Sequence, residues 1–499
     1  MRVVVVGAGI GGLGSALALS RAGHEVTVLE RDATPLPASA DAAFQWDRRG
    51  APQVRHSHAL LARLRNLLRD RFPDVLADLH HAGVTEIHFA EMLPETITDR
   101  SPQPGDEDLV ALAGRRTTFE WVLRRAVLAA ERVDLIDGVA VQGLCFSPAT
   151  TDGDSASPLV TGVRVARAGG SDIETVDADL VVVANGPRSN LPAWLAEGGV
   201  TLPETVEDTG IVYYSRFFGL VDGAEPPRLT GPVGGNLGYL KYGVFQGDSR
   251  TFSITLACQA DDKDLRALLI DPLTFNRTAA TLPSTAPWLA PGMAEAVTEV
   301  QVMAKLLNRR RRFLDDRGRP RVLAAHAVGD AHTCTNPMYG RGCSLAMVQA
   351  TLLADALAAE PVDAVDAVER SVAYERACER EITPWYEAAV AQDRMNRTEN
   401  AAPLVSEAVS TATQLPADLF RDVLRHGLFP ALRVDPVVFR AFLRMFNLLT
   451  PPDALMTDGD VVTRVMAVYQ DRGNRPPEPD LGPERADLLE RVSLQPPPG

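Results

Sequence analysis

Four consecutive valines run straight into a Gly-x-Gly-x-x-Gly turn, Val3-Val4-Val5-Val6-Gly7-Ala8-Gly9-Ile10-Gly11-Gly12, and nothing else in the chain restricts its fold as much. A buried strand, a turn too tight for side chains and a helix opening directly behind it are the parts of a β-α-β dinucleotide-binding unit. The remaining parts follow in order: an apolar helix through Leu13, Ala16, Leu17 and Leu19, a stop at Gly23, and a second strand from Glu25 to Leu29 that ends at Glu30. Gly7 permits the turn, Gly9 lets the backbone approach a pyrophosphate, Gly12 allows close helix–strand packing, and Glu30 accepts hydrogen bonds from ribose hydroxyls. Free N–H groups at the positive end of the helix attract the phosphates. An acid rather than an arginine at position 30 selects an unphosphorylated ribose, hence FAD or NAD over NADP.

With 499 residues, 45% of them hydrophobic, the chain is long enough for two or three structural units. A net charge of −15 repels nucleic acid and anionic lipid, and no basic face is long enough to reverse that. The one arginine run, Arg309–Arg312, stands beside Asp315 and Asp316 and reads as a solvated, self-paired segment. Lysine occurs only at 241, 263 and 305 while arginine is abundant, a mark of a GC-rich bacterial genome. The five cysteines are widely spaced and never C-x-x-C, so neither a disulfide framework nor a metal site is expected. No apolar run approaches the ~20 residues of a membrane span, and the N-terminus lacks the charged region and cleavage site of a secretion signal, so a cytoplasmic location without membrane insertion is expected.

Along the chain, hydrophobic periodicity predicts an α/β fold: a Rossmann-like nucleotide-binding domain, an inserted antiparallel-sheet substrate domain and a C-terminal helical region. The first part of the nucleotide domain spans residues 1–198, with some strands around 84–110 belonging to the substrate domain. Residues 159–167 and 173–177 alternate like a hairpin broken at Gly169-Gly170, and Leu180–Ala184 is a fully buried strand of a parallel sheet. Longer alternating segments, Ile211–Leu220, Tyr239–Gln246 and Thr251–Cys258, place the substrate sheet in 199–318. The last nucleotide-domain strand and helix fall in 319–365, helices in 366–475, and a Pro-rich tail expected to be disordered in 476–499.

After that last strand comes Val328-Gly329-Asp330-Ala331-His332, then Asn336-Pro337-Met338-Tyr339-Gly340-Arg341-Gly342-Cys343-Ser344. The N-terminal glycine turn with its terminal Glu, a Gly-Asp segment and a Pro-x-x-Gly-x-Gly before a long helix, in this order, resemble the flavoprotein monooxygenases of the aromatic hydroxylase and squalene epoxidase type. The resemblance covers about residues 1–365. It implies FAD, with Asp330 holding a ribityl hydroxyl and Gly340, Gly342 and Cys343 bringing a helix N-terminus to the pyrimidine end of the flavin. Pro337 is implied to lie over the ring where oxygen reacts. Arg116 is implied near the diphosphate, Gly186 in the middle motif, Arg31 beside Glu30, and Arg48 or Arg49 near the flavin, with Arg49 taken into both the catalytic and the cofactor-binding set. Independently of the resemblance, backbone N–H groups and a positive helix end at N1 and the C2 carbonyl favour a reduced, negatively charged flavin. His332 is the nearest candidate base, while His56 and His58 read as structural.

The middle motif departs from the family. Where the family has Asp-Gly this chain has Asn185-Gly186, in a segment that in relatives contributes to both FAD and NADPH binding. Reduction by NADH or NADPH, directly or through a partner flavin reductase, stays open, as does a homodimer. A second nicotinamide fingerprint is missing, since Gly231 to Gly238 has the wrong spacing, and so are the Trp-x-Trp motif and N-terminal lysine of flavin halogenases. The expected activity is insertion of one oxygen atom from O2 into a hydrophobic small molecule of bacterial secondary metabolism, by hydroxylation or epoxidation. The alternative is an FAD-dependent reductase or desaturase acting on an isoprenoid or polycyclic substrate. Aromatic residues Tyr213, Tyr214, Phe217, Phe218, Tyr239, Tyr242, Phe245 and Phe252 mark the substrate sheet.

Overall fold

The valine run forms the middle strand of a five-stranded parallel sheet in the computed structural model, which describes residues 1–147, 157–167, 172–228, 233–358, 367–398 and 417–494. The strand order is Ala325–Ala327, Leu180–Val183, Arg2–Val6, Glu25–Glu30, Val133–Asp137. Val3 pairs with Val26 on one side and with Leu180 on the other. The order reverses at the central strand, so a crevice opens at its carboxyl end, where open α/β sheets take ligands. Gly7 stands there, its N–H bonded to the carbonyl of Leu29 at 2.8 Å.

Helices cover one face of this sheet. The helix Ile10–Arg21 and the long helix Gly342–Ala358 are buried along most of their length and share one core with Val3, Val5, Val26 and Val28. They lie so close that a Cβ on Gly14 would meet the Met347 sulfur at 2.5 Å. On the other face, Val4, Val6, Val181 and Val183 pack against Leu144, Val163 and Val165 of an antiparallel layer formed by Val139–Phe146, Val160–Arg167 and Ile173–Asp177. The expected hairpin is therefore two strands of a three-stranded layer. Its turn at Gly169-Gly170 lies outside the described residues.

The inserted sheet is antiparallel as expected, ordered Gly234–Asn236, Leu240–Gln246, Thr251–Gln259, Ile211–Leu220, Ala294–Ala296, with Gln301–Met303 also on Ile211–Leu220. Alternation splits its aromatic residues between two faces. Tyr214, Phe218, Tyr242 and Phe252 pack with Leu265, Leu269 and Phe275 of the helices Lys263–Ile270 and Pro272–Ala280. The opposite face turns to the nucleotide domain: Phe217 meets Phe44 with ring centroids 5.3 Å apart, and Tyr213 donates its hydroxyl to Asn336.

Two sequence expectations change. Arg309–Arg311 is not a solvated run but part of the strand Leu307–Arg311, which pairs with Glu204–Asp208 and Thr333–Cys334. Arg311 is 2% exposed and held by Glu204 and the Ala331 carbonyl, because a strand passing between two domains has no solvent on its inner side. Residues 476–494 of the Pro-rich tail are also ordered. Residues 476–484 lead into the helix Arg485–Leu494, whose Leu488 and Val492 enter the core of the inserted sheet. Arg485 pairs with Asp262 at 2.8 Å, and Tyr239 and Tyr242 donate to the carbonyls of Pro483 and Leu481. Apolar spacing in that helix and three polar anchors outweigh the proline content. The last prolines, Pro496–Pro498, lie outside the described residues. Among the described residues no helix is long and apolar enough to cross a membrane.

A Cβ on Gly12 would sit 1.8 Å from the Gly7 carbonyl oxygen, whereas one on Gly9 would meet no atom within 4 Å. Gly12→Ala is therefore expected to destabilise the fold by about 3 kcal/mol or more and Gly9→Ala by less than about 1, compared by thermal melting of the cofactor-free proteins.

Candidate functional site

Around the first turn the backbone and buried charges are arranged before any ligand is considered. Gly7 adopts φ +99°, a left-handed conformation that favours glycine. Glu30, 7% exposed, accepts the Ala8 N–H at 2.8 Å and the Asp32 N–H at 2.9 Å, which fixes the carboxylate at the end of its strand. Arg48 lies beside it, 3.6 Å from Glu30, donating to the Ala8 carbonyl at 3.0 Å and to Glu120, with its guanidinium 4.9 Å from the Trp46 ring. Glu120 is fully buried, and its other oxygen lies 3.4 Å from Arg116, the first residue of the helix Arg116–Ala129. One carboxylate thus holds two arginines from behind.

Both arginines keep a buried N–H without a hydrogen-bond partner, Nη1 of Arg48, which lies 3.9 Å from Asp32, and Nε of Arg116. Arg116 also faces Asp330 and Cys343, and its Nη1 lies 3.4 Å from His58 Nε2. Burial with the Arg116 charge close by pushes His58 down to about 3, so its ring is neutral. Asp330 has no hydrogen-bond donor on it among the described residues; burial pushes its carboxyl up, and Arg116 opposes that shift. Space is left in front of these groups, with no atom within 4 Å of a Cβ built on Gly9 or on Gly342, where the long helix begins. Orphaned guanidinium N–H groups, an unpartnered carboxylate and two open glycine positions fit a dinucleotide: phosphates on the arginines and helix N-termini, a sugar or ribityl hydroxyl on each acid.

The loop before Gly342 carries a second buried network. Asn336 Oδ1 accepts from the Met338 N–H at 3.0 Å and from Tyr213, and the Asn336 N–H donates to Asn308 Oδ1 at 2.7 Å. Asp393, 2% exposed on the helix Thr383–Thr398, accepts from Asn336 Nδ2 at 2.8 Å, Tyr339 Oη at 2.8 Å and Asn308 Nδ2 at 2.7 Å. These bonds fix a short turn, Pro337–Tyr339, that leaves Pro337 exposed and ends at Gly340 with φ +65°. A Cβ on Gly340 would come within 2.7 Å of the Ala59 Cβ.

The structure brings Gly7, Gly9, Gly12, Glu30, Arg116, Asp330 and Cys343 of the expected set to one groove, with Pro337, Gly340 and Gly342 at its end. It separates three others. Arg49 carries an 82% exposed side chain on Asp47, so of the two neighbouring arginines it is Arg48 that enters the groove. Arg31 is 69% exposed and lies 3.8 Å from Asp32. His332 is buried elsewhere, with Nδ1 2.8 Å from Thr333 Oγ1, Nε2 3.2 Å from Glu375 and its ring stacked on Phe313. Both of its nitrogens are engaged, so it is not free to act as a base at Pro337. Gly186 has φ +81° with open space above it, and the neighbouring Asn185 Oδ1 is buried without a partner. Glu120 and Asp393 carry no sequence signal, because each matters only through partners distant in the chain.

Residues 2–216 match the family model of FAD dependent oxidoreductases, DAO. Solved structures share the architecture at low identity. PqsL from Pseudomonas aeruginosa, described as a probable FAD-dependent monooxygenase, is 15% identical, with 79% of this chain and 96% of PqsL covered and a TM-score of 0.56. The p-nitrophenol 4-monooxygenase PnpA from Pseudomonas putida DLL-E4 is 19% identical, with 90% and 98% covered and a TM-score of 0.55. The chain has the FAD-binding monooxygenase fold. A flavoprotein/dehydrogenase from Cytophaga hutchinsonii has it too, at 13% identity, with 94% and 99% covered and a TM-score of 0.61. Comparison with curated proteins by sequence finds no match. FAD is the cofactor to which the family model, the paired arginines and the open glycine turn all point.

Gly9→Val is expected to fold normally and lose FAD at least tenfold, because its side chain fills the space left for the phosphates. Arg48→Lys, which keeps a charge for Glu120 but loses the fork, weakens FAD about tenfold, while Arg49→Met leaves it unchanged; FAD fluorescence titration reads all three.

Proposed function

We propose that the protein is an FAD-dependent monooxygenase that inserts one oxygen atom from O2 into a hydrophobic small molecule, by hydroxylation or epoxidation. The observation that carries this reading is the apposition of the inserted sheet to the Pro337 loop. The face of that sheet turned to the nucleotide domain presents Tyr213, Phe217 and Phe245, with Met303 and Met338 packed on Tyr213. When bound, FAD supplies the electrons that activate O2 for transfer to a substrate held against that face.

Each residue then has a task. Arg48 and Arg116 bind phosphate, Glu120 orients both, and Glu30 and Asp330 accept sugar and ribityl hydroxyls. The N-terminus of Gly342–Ala358 favours negative charge beside it, and Gly340 and Gly342 permit the close approach. Asp393 positions the Asn336–Tyr339 loop directly through two hydrogen bonds and indirectly through a third to Asn308. His56 shares a hydrogen-bonded chain with Ser215, Thr255 and Ser57 at 3.1, 2.8 and 2.7 Å. Burial holds His56 at about 4, so the chain is neutral and orients a ligand without charging it.

NADH or NADPH is the proposed reductant, acting directly or through a flavin reductase that compensates for Asn185. Cytoplasmic secondary metabolism remains the proposed setting. The second reading, a reductase or desaturase, is kept because a flavoprotein/dehydrogenase from Cytophaga hutchinsonii shares the fold.

Isotope-labelled O2 separates the two. With FAD, NAD(P)H, an added flavin reductase and a panel of lipophilic phenols and alkenes, the monooxygenase reading expects one labelled oxygen atom in a product. A product that has only lost or gained hydrogen, with no label, favours the second reading.

A further inference from the structure

We infer that Lys241 receives an anionic oxygen of the substrate, a phenolate, enolate or carboxylate, where the inserted sheet faces the Pro337 loop. The inference rests on the monooxygenase reading only in taking that place as the substrate's.

Strand register puts Lys241 on the right face. Lys241 pairs directly with Ala257, and Ala257 with Tyr213, so all three side chains share the face that looks toward Asn336 and Pro337. Its neighbours Leu240 and Tyr242 belong to the opposite, helix-covered face. The other two lysines, Lys263 and Lys305, are exposed; Lys241 alone is drawn inward.

Among the described residues no side chain pairs directly with it. Among the described residues Lys241 has no hydrogen bond and no ion pair within 4.0 Å. The facing carboxylate, Asp393, is close enough to stabilise the ammonium, but both of its oxygens are taken by Asn308, Asn336 and Tyr339. The same carboxylate faces Arg341, whose guanidinium is sandwiched 4.8 Å from Tyr339 and 4.8 Å from Trp385, again without an acid within 4.0 Å. One buried carboxylate therefore confronts two cations, and a positive charge is left over.

A half-buried cation without a direct partner is partly desolvated at a cost, and an anion arriving beside it offsets that cost. Burial brings the Lys241 ammonium down to about 8 and Arg341 to about 10, so both are charged at neutral pH. The hydroxyls of Ser215, Thr255 and Ser57 lie on or against the same face and offer hydrogen bonds but no charge. An apolar body resting on Phe217 and Phe245 with one acidic oxygen at Lys241 fits this distribution.

The test titrates FAD-loaded protein at neutral pH with benzoate against benzamide and with 4-nitrophenolate against 4-nitroanisole, by calorimetry. At least one anion is expected to bind about tenfold more tightly than its neutral partner, to lose that advantage in Lys241→Met and to keep it in Lys241→Arg. FAD content and melting temperature, unchanged in both variants, exclude a folding effect. Equal binding within every pair, no binding of either anion, or a preference that survives Lys241→Met overturns the inference. If the anion preference depends on Lys241 but no product carries label from O2, the subsite stands and the monooxygenase reading fails.

Discussion

The nucleotide half of the molecule depends on one close approach, that of the Gly12 backbone to the carbonyl of Gly7. It brings the helix Ile10–Arg21 onto the central strand and aims its free N–H groups at the crevice where the sheet changes direction. The groove then needs cations at a second side, and these cannot be left on flexible surface side chains. Glu120, buried between Arg48 and Arg116, meets that need, fixing both guanidinium groups while leaving an N–H of each without a hydrogen bond. Breaking such a buried pair costs about 3–5 kcal/mol, so the cluster is held rigidly, as the proposed phosphate site requires.

The other end of the groove is built from parts far apart in the chain. Asp393 joins the C-terminal helical region to a strand between the domains through Asn308 and to the Pro337 loop through Asn336 and Tyr339. The substrate sheet reaches the same loop through Tyr213. The position of Pro337 is therefore set jointly by all three regions, the C-terminal one acting through the helix Thr383–Thr398. The same network leaves Lys241 and Arg341 short of negative charge on the side where a substrate would enter.

The glycines, Glu30 and the long buried strands were legible in the sequence because each has a local, backbone-level reason. Arg48 and Arg49 were not distinguishable, since adjacent residues in a loop point in different directions only once the loop is folded. The aromatic alternation announced the inserted sheet correctly, yet Tyr213 and Tyr214, or Phe217 and Phe218, sit on opposite faces, and only pairing shows which pair of residues looks toward the flavin groove. His332 stands two residues from Asp330 and looked functional by proximity. Its ring turns into a cluster with Glu375 and Phe313 that no motif records. Composition misled at the tail, where proline content hid the helix Arg485–Leu494 and its cross-chain anchor to Asp262.

The most direct test of the central claim is competitive equilibrium dialysis of the wild-type protein against FAD and NAD. FAD retained at one per chain and not displaced by a large excess of NAD is the expected result. A groove that takes NAD in place of FAD, or that holds neither, would contradict the assignment of Glu30, Arg48, Arg116 and Asp330 as a flavin dinucleotide site.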